Sequence, residues 1–126
     1  MDATKTLRIQ GYSISYGEGE RALKVLDDIN LDIGRGEVVG LVGESGSGKS
    51  TLAFAIMRAL RGITSGEAGD MLLGSDSLRD LDEQGLNEIR GKRIAMVFQD
   101  PGGSLNPTLT LGEHFRQTLN RHSDLT

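Results

Sequence analysis

The sequence contains no cysteine, and it carries no excess of basic side chains. Without cysteine the chain can form neither disulfide bonds nor thiolate metal sites, and a reducing compartment is compatible with it. The 14 lysine and arginine residues are outnumbered by 18 aspartate and glutamate residues, which gives a net charge of −4. Because general nucleic-acid binding favours a basic face, this balance argues against nucleic acid as a partner.

Long apolar runs are also missing. No run approaches the roughly 18 apolar residues that span a bilayer, and the first 30 residues contain no charged-then-apolar signal peptide. With 126 residues the chain has the length of one domain and can bury a core. We therefore expect a cytoplasmic chain without a transmembrane segment or signal peptide, whose attachment to a membrane would come through a partner.

A glycine-rich stretch at residues 43–50 matches the phosphate-binding pattern G-x-x-x-x-G-K-[ST] at every fixed position. Its glycines lack a Cβ atom, so the backbone can adopt positive φ and turn its N–H groups inward. Lys49 adds a mobile positive charge for the β- and γ-phosphates, and the Ser50 hydroxyl can ligate Mg²⁺. The stretch therefore predicts a polyphosphate-binding loop that opens a helix, whose N-terminal end also favours anions.

The residues around this loop support the interpretation. Residues 37–42 form a short, nearly continuous apolar run that is typical of a strand buried on both faces. Residues 50–60 predict a largely apolar helix, with Arg58 and Arg61 in its last turn and Gly62 as a stop signal. A glycine- and serine-rich surface turn is the alternative, but the agreement of strand, loop and helix disfavours it.

Two alternating stretches precede the loop. Apolar residues alternate over residues 7–16 with a change of phase near Gly11, which indicates a strand with a β-bulge. A second alternating stretch covers residues 25–33. A further buried strand is predicted at residues 94–98, so the sequence indicates an α/β fold with an antiparallel layer beside a parallel core.

Helix signals occur twice in the second half of the chain. Asp82 and Glu83 are interpreted as charges at a helix start rather than as metal ligands. Residues 110–113 form a capping box that predicts a second helix. His114 and His122 on that helix are interpreted as surface residues and not as ligands. Apolar residues repeat every four positions on one face of the same helix, at Leu111, Phe115 and Leu119.

Tyr16 and Gln99 each allow two interpretations. Tyr16 is either an inner-face aromatic of its strand, which the pattern alone favours, or a flat ring that stacks on a nucleotide base. Gln99 follows the strand predicted at residues 94–98, which Pro101 ends. Because ligands of open α/β sheets bind beyond the carboxyl ends of strands, Gln99 either contacts Mg²⁺ or a water molecule, or only caps the strand.

With these motifs in place, the sequence resembles the ATP-binding subunits of ABC transporters, in particular those of oligopeptide, dipeptide and nickel import systems. The resemblance extends from about Leu7 to the end of the chain. Residues 40–53 resemble the Walker A segment of that subfamily, and residues 94–101 followed by 104–107 resemble its Q-loop segment. A different P-loop NTPase, such as a kinase or GTPase, would leave the Q-loop stretch unexplained.

The resemblance implies a role for each matching position. Tyr16 would stack on adenine, and Ser50 would ligate Mg²⁺. Gln99 would join Mg²⁺ and the attacking water, so that Lys49 and Gln99 would be the catalytic residues. The phosphates of ATP would be held by Gly43, Glu44, Ser45, Gly46, Ser47, Gly48, Lys49, Ser50 and Thr51.

The implied fold is that of a P-loop NTPase with a parallel core sheet, an antiparallel β subdomain and a helical subdomain that begins near Leu111. In the family an LSGGQ-type signature, a Walker B strand and a switch histidine follow the Q-loop, and none of them is found in these 126 residues. We therefore expect residues 1–126 to be the N-terminal part of one nucleotide-binding domain, truncated at the start of the helical subdomain. Such a segment would bind nucleotide but hydrolyse it very slowly by itself.

The full subunit that the resemblance implies is an ATPase that powers uptake of peptides or similar small solutes at the cytoplasmic face of the inner membrane. Its partners would be transmembrane permease subunits, contacted through the loop of Gln99, a second ATP-binding subunit in a homo- or heterodimer, and indirectly a solute-binding protein. The alternative is a nucleotide-binding fragment without turnover, or a module that competes for the transmembrane partner.

Overall fold

The computed structural model describes residues 5–62 and 64–123. The chain divides into two units, Met1–Asn87 and Glu88–Thr126, and each is described by itself. The strands are β1 (Lys5–Tyr16), β2 (Leu23–Gly34), β3 (Thr64–Leu73) and β4 (Asp76–Ser77). The helices are α1 (Lys49–Ile56), α2 (Glu83–Ile89), which spans the boundary between the units, α3 (Pro101–Ser104) and α4 (Leu111–His122).

The four strands form one antiparallel sheet in the order β2-β1-β3-β4. The two alternating stretches of the sequence are β1 and β2 of this sheet. Both predicted strands are therefore confirmed. The β1–β2 pairing shifts register between Ile9 and Tyr12, next to Gly11, whose φ is +59°. This is the predicted bulge. Gly69 of β3 crosses β1 at the same point, and a Cβ atom on it would lie 2.2 Å from the Gly11 carbonyl oxygen, so only glycine permits this approach.

The core of the first unit lies on one face of this sheet. Tyr12 and Met71 have no exposed surface, and Leu52 and Ala55 of α1 are buried as well. Helix α1 contacts β2. Burial of these aliphatic and aromatic side chains is the main force that holds the helix on the sheet. The buried apolar residues of this unit are Leu7, Ile9, Tyr12, Ile14, Leu26, Leu52, Ala55, Met71, Leu73, Leu78 and Leu86.

The structure differs from the prediction at the two segments that were expected to form buried strands of a parallel core. Residues 37–42 and 94–98 pair into no strand within residues 5–62 and 64–123, where the one parallel pairing outside the named strands is an isolated bridge between Arg90 and Ile94. Val38 is 96% exposed and Val97 is 96% exposed. The prediction that these segments are buried strands is therefore wrong for the described residues. An apolar run marks a segment suited to burial, but neighbouring strands must supply the hydrogen bonds and the cover.

Helix α1 ends at Ile56, four residues before the predicted end at position 60. Met57 is the C-cap, and Arg58 adopts a left-handed conformation with a φ of +53°. The predicted placement of Arg58 in the last helical turn is therefore wrong.

Both predicted helix starts in the second half are confirmed. The Asp82 carboxylate accepts a hydrogen bond of 2.8 Å from the Gly85 N–H at the start of α2. At α4 the Thr110 hydroxyl accepts from the Glu113 N–H at 3.2 Å, and the Glu113 carboxylate accepts from the Thr110 N–H at 2.7 Å. This reciprocal pair is the predicted capping box. Among the described residues no helix is both long and apolar enough to cross a bilayer.

Candidate functional site

The glycine-rich loop connects residues 37–42 to α1. Gly46 and Gly48 have φ values of +82° and +99°, which glycine adopts without a steric penalty. Gly48 is the N-cap of α1, and a Cβ atom on it would lie 3.3 Å from Cδ2 of the buried Leu26. Glycine at this position therefore lets the loop turn directly over the sheet before the helix begins.

The side chain of Lys49 folds back into the loop. Its ammonium donates hydrogen bonds to the carbonyl oxygens of Gly43 and Glu44, both at 2.6 Å, and to the Ser47 hydroxyl at 3.1 Å. A Cβ atom on Gly43 would lie 2.7 Å from the same Ser47 hydroxyl, so a side chain there would displace this hydroxyl from Lys49. The loop thus carries a positive charge inside its curve, beside the N-terminal end of α1, where an anion is stabilised.

A pocket of about 230 Å³ lies beside this helix start. Tyr16, at the end of β1, shares it with Ser50 and Thr51 of the first helical turn. The structure therefore brings together three of the residues that the sequence singled out. The remaining residues of the lining are Phe54, Ala59, Leu60 and Arg61.

Sequence reasoning missed one segment of the pocket lining. It placed Ala59, Leu60 and Arg61 on the helix or in its last turn, whereas they follow the helix end and line the pocket together with Tyr16. A signal for the early helix end was not visible locally, because Arg58 stands where glycine usually ends a helix.

A cluster of polar side chains includes Arg58, the residue that follows the C-cap of α1. The Glu67 carboxylate, on β3, accepts hydrogen bonds from both terminal nitrogens of Arg58, one of them at 3.3 Å. The Tyr12 hydroxyl donates to the same carboxylate at 3.0 Å. Arg79 adds a third contact, with its Nε 3.7 Å from the Glu67 carboxylate. Arg58, Glu67 and Arg79 are each less than one-third exposed, so solvent screens these contacts only in part.

The cluster shifts the pKa values of Tyr12, Arg58 and Glu67. Burial, and then the hydrogen bond to Glu67 and its negative charge, raise the pKa of Tyr12 to about 12. Burial also raises the pKa of the Glu67 carboxyl, but hydrogen bonds from Arg58 and Tyr12 and the charges of Arg58 and Arg79 outweigh it. The pKa of Glu67 therefore lies below its usual range, and the carboxylate is ionised at neutral pH.

Gln99 lies in the second unit, exposed and directly before α3. The next residue, Asp100, caps that short helix by accepting a hydrogen bond of 3.0 Å from the Gly102 N–H. The interpretation of Gln99 as a residue that caps a strand does not fit, because residues 94–98 are not paired as a strand. Its role toward Mg²⁺ and water stays a prediction.

His114 has a structural environment within the second unit. Its Nε2 accepts a hydrogen bond of 2.9 Å from the Asn106 N–H, and its Nδ1 lies 2.9 Å from the Thr110 carbonyl oxygen. This pattern requires a neutral ring with the proton on Nδ1. His114 therefore joins the turn at residues 106–110 to α4, and both His114 and His122 are partly buried rather than fully on the surface.

The loop, its lysine and the neighbouring helix define a P-loop NTPase, and comparison with solved structures gives the fold within that class. The chain superposes with a TM-score of 0.78 and 30% identity on the ATP-binding cassette MJ0796, in a dimeric post-hydrolysis state bound to ADP and Pi, covering 95% of this chain and 49% of that one. A second structure of MJ0796, described as a dimeric bacterial ABC transporter cassette, gives a TM-score of 0.77 at 29% identity. The fold is thus that of an ABC ATPase cassette, with an antiparallel β-sheet and helices.

The ABC transporter family model matches residues 26–125, and the chain belongs to that family. It is 41% identical over 122 residues to the probable D,D-dipeptide transport ATP-binding protein DdpD of Escherichia coli, covering 95% of this chain and 37% of that protein. It is 33% identical over 124 residues to the oligopeptide transport ATP-binding protein OppD of E. coli, covering 98% and 36%. A putative peptide import ATP-binding protein of Brucella melitensis is 38% identical over 120 residues, covering 95% and 36%. The chain spans about a third of the length of these relatives.

Proposed function

We propose that residues 1–126 are the N-terminal, ATP-binding part of the ATPase of an ABC importer, which powers uptake of peptides or similar small solutes. Membership of the family supports ATP as the ligand, and the names of the relatives support peptides as the solute class. The observation that carries the proposal is the shared pocket of Tyr16, Ser50 and Thr51 beside the loop that holds Lys49.

Each part of the nucleotide has a matching group in the first unit. The Tyr16 ring offers a flat face to the adenine base, since it lines the pocket next to the start of α1. The phosphates would be bound by the loop at residues 43–48, by Lys49 and by Thr51. The Lys49 ammonium, which now donates to loop carbonyls, would exchange part of those hydrogen bonds for phosphate oxygens.

Ser50 and Gln99 are the residues that would hold Mg²⁺. Both present neutral oxygen atoms from exposed side chains, which fits a hard cation that takes most of its ligands from phosphates and water. The metal would supply charge neutralisation on the β- and γ-phosphates. Gln99 would in addition orient the attacking water through its side-chain amide, and Lys49 would stabilise charge on the transferred phosphoryl group.

The partners are proposed from membership of the ABC transporter family. The loop of Gln99 would contact transmembrane permease subunits at the cytoplasmic face of the inner membrane, and a solute-binding protein would act indirectly. A second ATP-binding subunit would complete the site as a homo- or heterodimer, and the dimeric MJ0796 structures support that arrangement.

Calorimetric titration with MgATP tests the nucleotide site directly. We expect saturable binding to the 126-residue chain, loss of that binding in Lys49→Ala, and retention in Lys92→Ala, which removes an exposed lysine of the second unit. Absence of binding to the unmodified chain would overturn the proposal. Phosphate release, measured on the same samples, distinguishes an ATPase from a nucleotide-binding module without turnover. Binding of MgATP without phosphate release would favour the module.

A further inference from the structure

The residues that close the Tyr16 pocket follow an unusual helix end. The Ala59 N–H donates to the Phe54 carbonyl at 2.9 Å, and the Arg58 N–H donates to the Ala55 carbonyl at 3.0 Å. This pair of hydrogen bonds is a Schellman motif, in which the residue at the position of Arg58 takes a left-handed conformation. Glycine is the usual residue there, whereas this chain has an arginine with a φ of +53°.

An arginine in the left-handed conformation needs stabilising contacts from neighbouring residues. A residue with a Cβ atom pays a steric penalty in the left-handed region, and such a conformation persists only where neighbouring groups determine it. Glu67 supplies these contacts, because its carboxylate accepts hydrogen bonds from both terminal nitrogens of the Arg58 guanidinium. The Tyr12 hydroxyl fixes the carboxylate in turn, so the helix end is tied to two strands of the sheet.

The backbone at Arg58 decides where the next residues lie. Ala59, Leu60 and Arg61 line the pocket together with Tyr16. The chain then passes the tyrosine at Gly62, where a Cβ atom would lie 3.9 Å from Cε1 of the Tyr16 ring. A change of φ at Arg58 would redirect this segment and alter the pocket that it lines together with Tyr16.

We propose that Glu67 is a positioning residue for the base-binding half of the nucleotide site: through Arg58 it sets the segment at residues 59–61 that lines the pocket with Tyr16. The inference rests on the proposed function, since it takes the Tyr16 pocket to hold the base. The phosphate loop lies at the opposite end of α1, before Lys49, and the Lys49 ammonium bonds Gly43, Glu44 and Ser47 within the loop. Loss of Glu67 should therefore weaken recognition of the base and leave recognition of the phosphates unchanged.

The test compares MgATP with inorganic tripolyphosphate as ligands in calorimetric titrations of the 126-residue chain. In Glu67→Gln we expect MgATP affinity to fall about three- to tenfold and tripolyphosphate affinity to stay within about twofold of the unmodified chain. Asp32→Asn is the matched control. It removes a carboxylate of the same sheet that pairs with Lys5 and Arg8, and it should change neither affinity.

Two substitutions at Arg58 separate positioning from general stabilisation. Arg58→Gly and Arg58→Ala both remove the ion pair, but only glycine keeps the left-handed conformation without strain. We expect Arg58→Gly to retain MgATP affinity and Arg58→Ala to lose it as Glu67→Gln does. In the Arg58→Gly background, Glu67→Gln should cause no further loss, because its effect passes through the same backbone angle.

Each contrary result has a distinct meaning. Equal loss of MgATP and tripolyphosphate affinity in Glu67→Gln, or equal loss in both Arg58 variants, would overturn the positioning role while the nucleotide site stands. If the unmodified chain bound neither ligand, the proposed function would fail and this inference with it. If the unmodified chain bound both ligands equally well, the pocket would not recognise the base, and the inference would be overturned.

Discussion

The Tyr12 hydroxyl of β1 donates a 3.0 Å hydrogen bond to the Glu67 carboxylate of β3. Tyr12 has no exposed surface, and it is among the largest fully buried side chains of the described residues. A buried phenol that lost this partner, or its proton, would leave an uncompensated polar group in the core. The pair therefore couples the stability of the sheet to pH at the alkaline end.

The first prediction concerns that coupling. The pKa of Tyr12 is raised to about 12 from the 10.0 of an unperturbed tyrosine. Its contribution to stability is fully present below about pH 10 and is lost as pH rises through about 12, because the unfolded state releases its proton first. Urea unfolding of the unmodified chain should show a free energy of unfolding that falls across this window. Tyr12→Phe should be less stable at neutral pH and show a smaller fall, and an identical pH dependence would refute the assignment.

The second prediction concerns the turn that opens α1. Gly48→Ala should destabilise the chain by about 1–3 kcal/mol, because alanine is strained at a φ of +99° and its Cβ would press on Leu26. It should also weaken MgATP binding, since the loop ends at this residue. Gly40→Ala is the control, because a Cβ atom there would meet nothing within 4 Å. Similar losses in thermal denaturation and calorimetry for both variants would contradict the argument.

Local patterns were sufficient to predict several of these features. The hairpin of β1 and β2, the bulge at Gly11 and the capping box at Thr110 each depend on residues close in the sequence or on a period of two. The phosphate loop belongs to the same group, because its glycines and Lys49 make their contacts within seven positions.

Features that depend on distant partners could not be predicted in this way. The end of α1 coincides with a contact between Arg58 and Glu67, which lies on β3 and forms no sequence pattern with Arg58. The same applies to residues 37–42, whose apolar character indicates a buried strand, although pairing and cover come from other strands. Gln99 was identified because residues 94–101 resemble a Q-loop segment. The geometry around Gln99 does not distinguish a role toward Mg²⁺ from a role toward water.

The third prediction concerns the start of α4. Thr110→Ala removes the side chain that accepts from the Glu113 N–H, and it should reduce the stability of this helix by about 0.5–2 kcal/mol. Amide hydrogen exchange in residues 111–122 should become faster. Thr108→Ala, in the preceding turn, is the control and should leave that exchange unchanged, because Thr108 bonds Asn106 and not the helix. Unchanged exchange in Thr110→Ala would show that the capping box contributes little.

The fourth prediction concerns exposed apolar segments. Val38 and Val42 are 96% and 95% exposed, and Val97 and Phe98 of the second unit are 96% and 50% exposed. Exposed apolar side chains favour association, because contact between molecules removes their surface from water. We therefore expect the 126-residue chain to bind a hydrophobic dye such as ANS and to self-associate with increasing concentration in sedimentation experiments.

Substitution tests whether residues 37–42 cause this behaviour. Replacing Val38 and Val42 together with serine should lower both dye binding and self-association, because it removes apolar surface without disturbing a packed side chain. Leu23→Ser is the control: Leu23 is 68% exposed, but it lies in β2 and outside residues 37–42, so its replacement should lower dye binding and self-association less. A sharp, cooperative melt of a monomer that binds no dye would show that these segments are covered in solution.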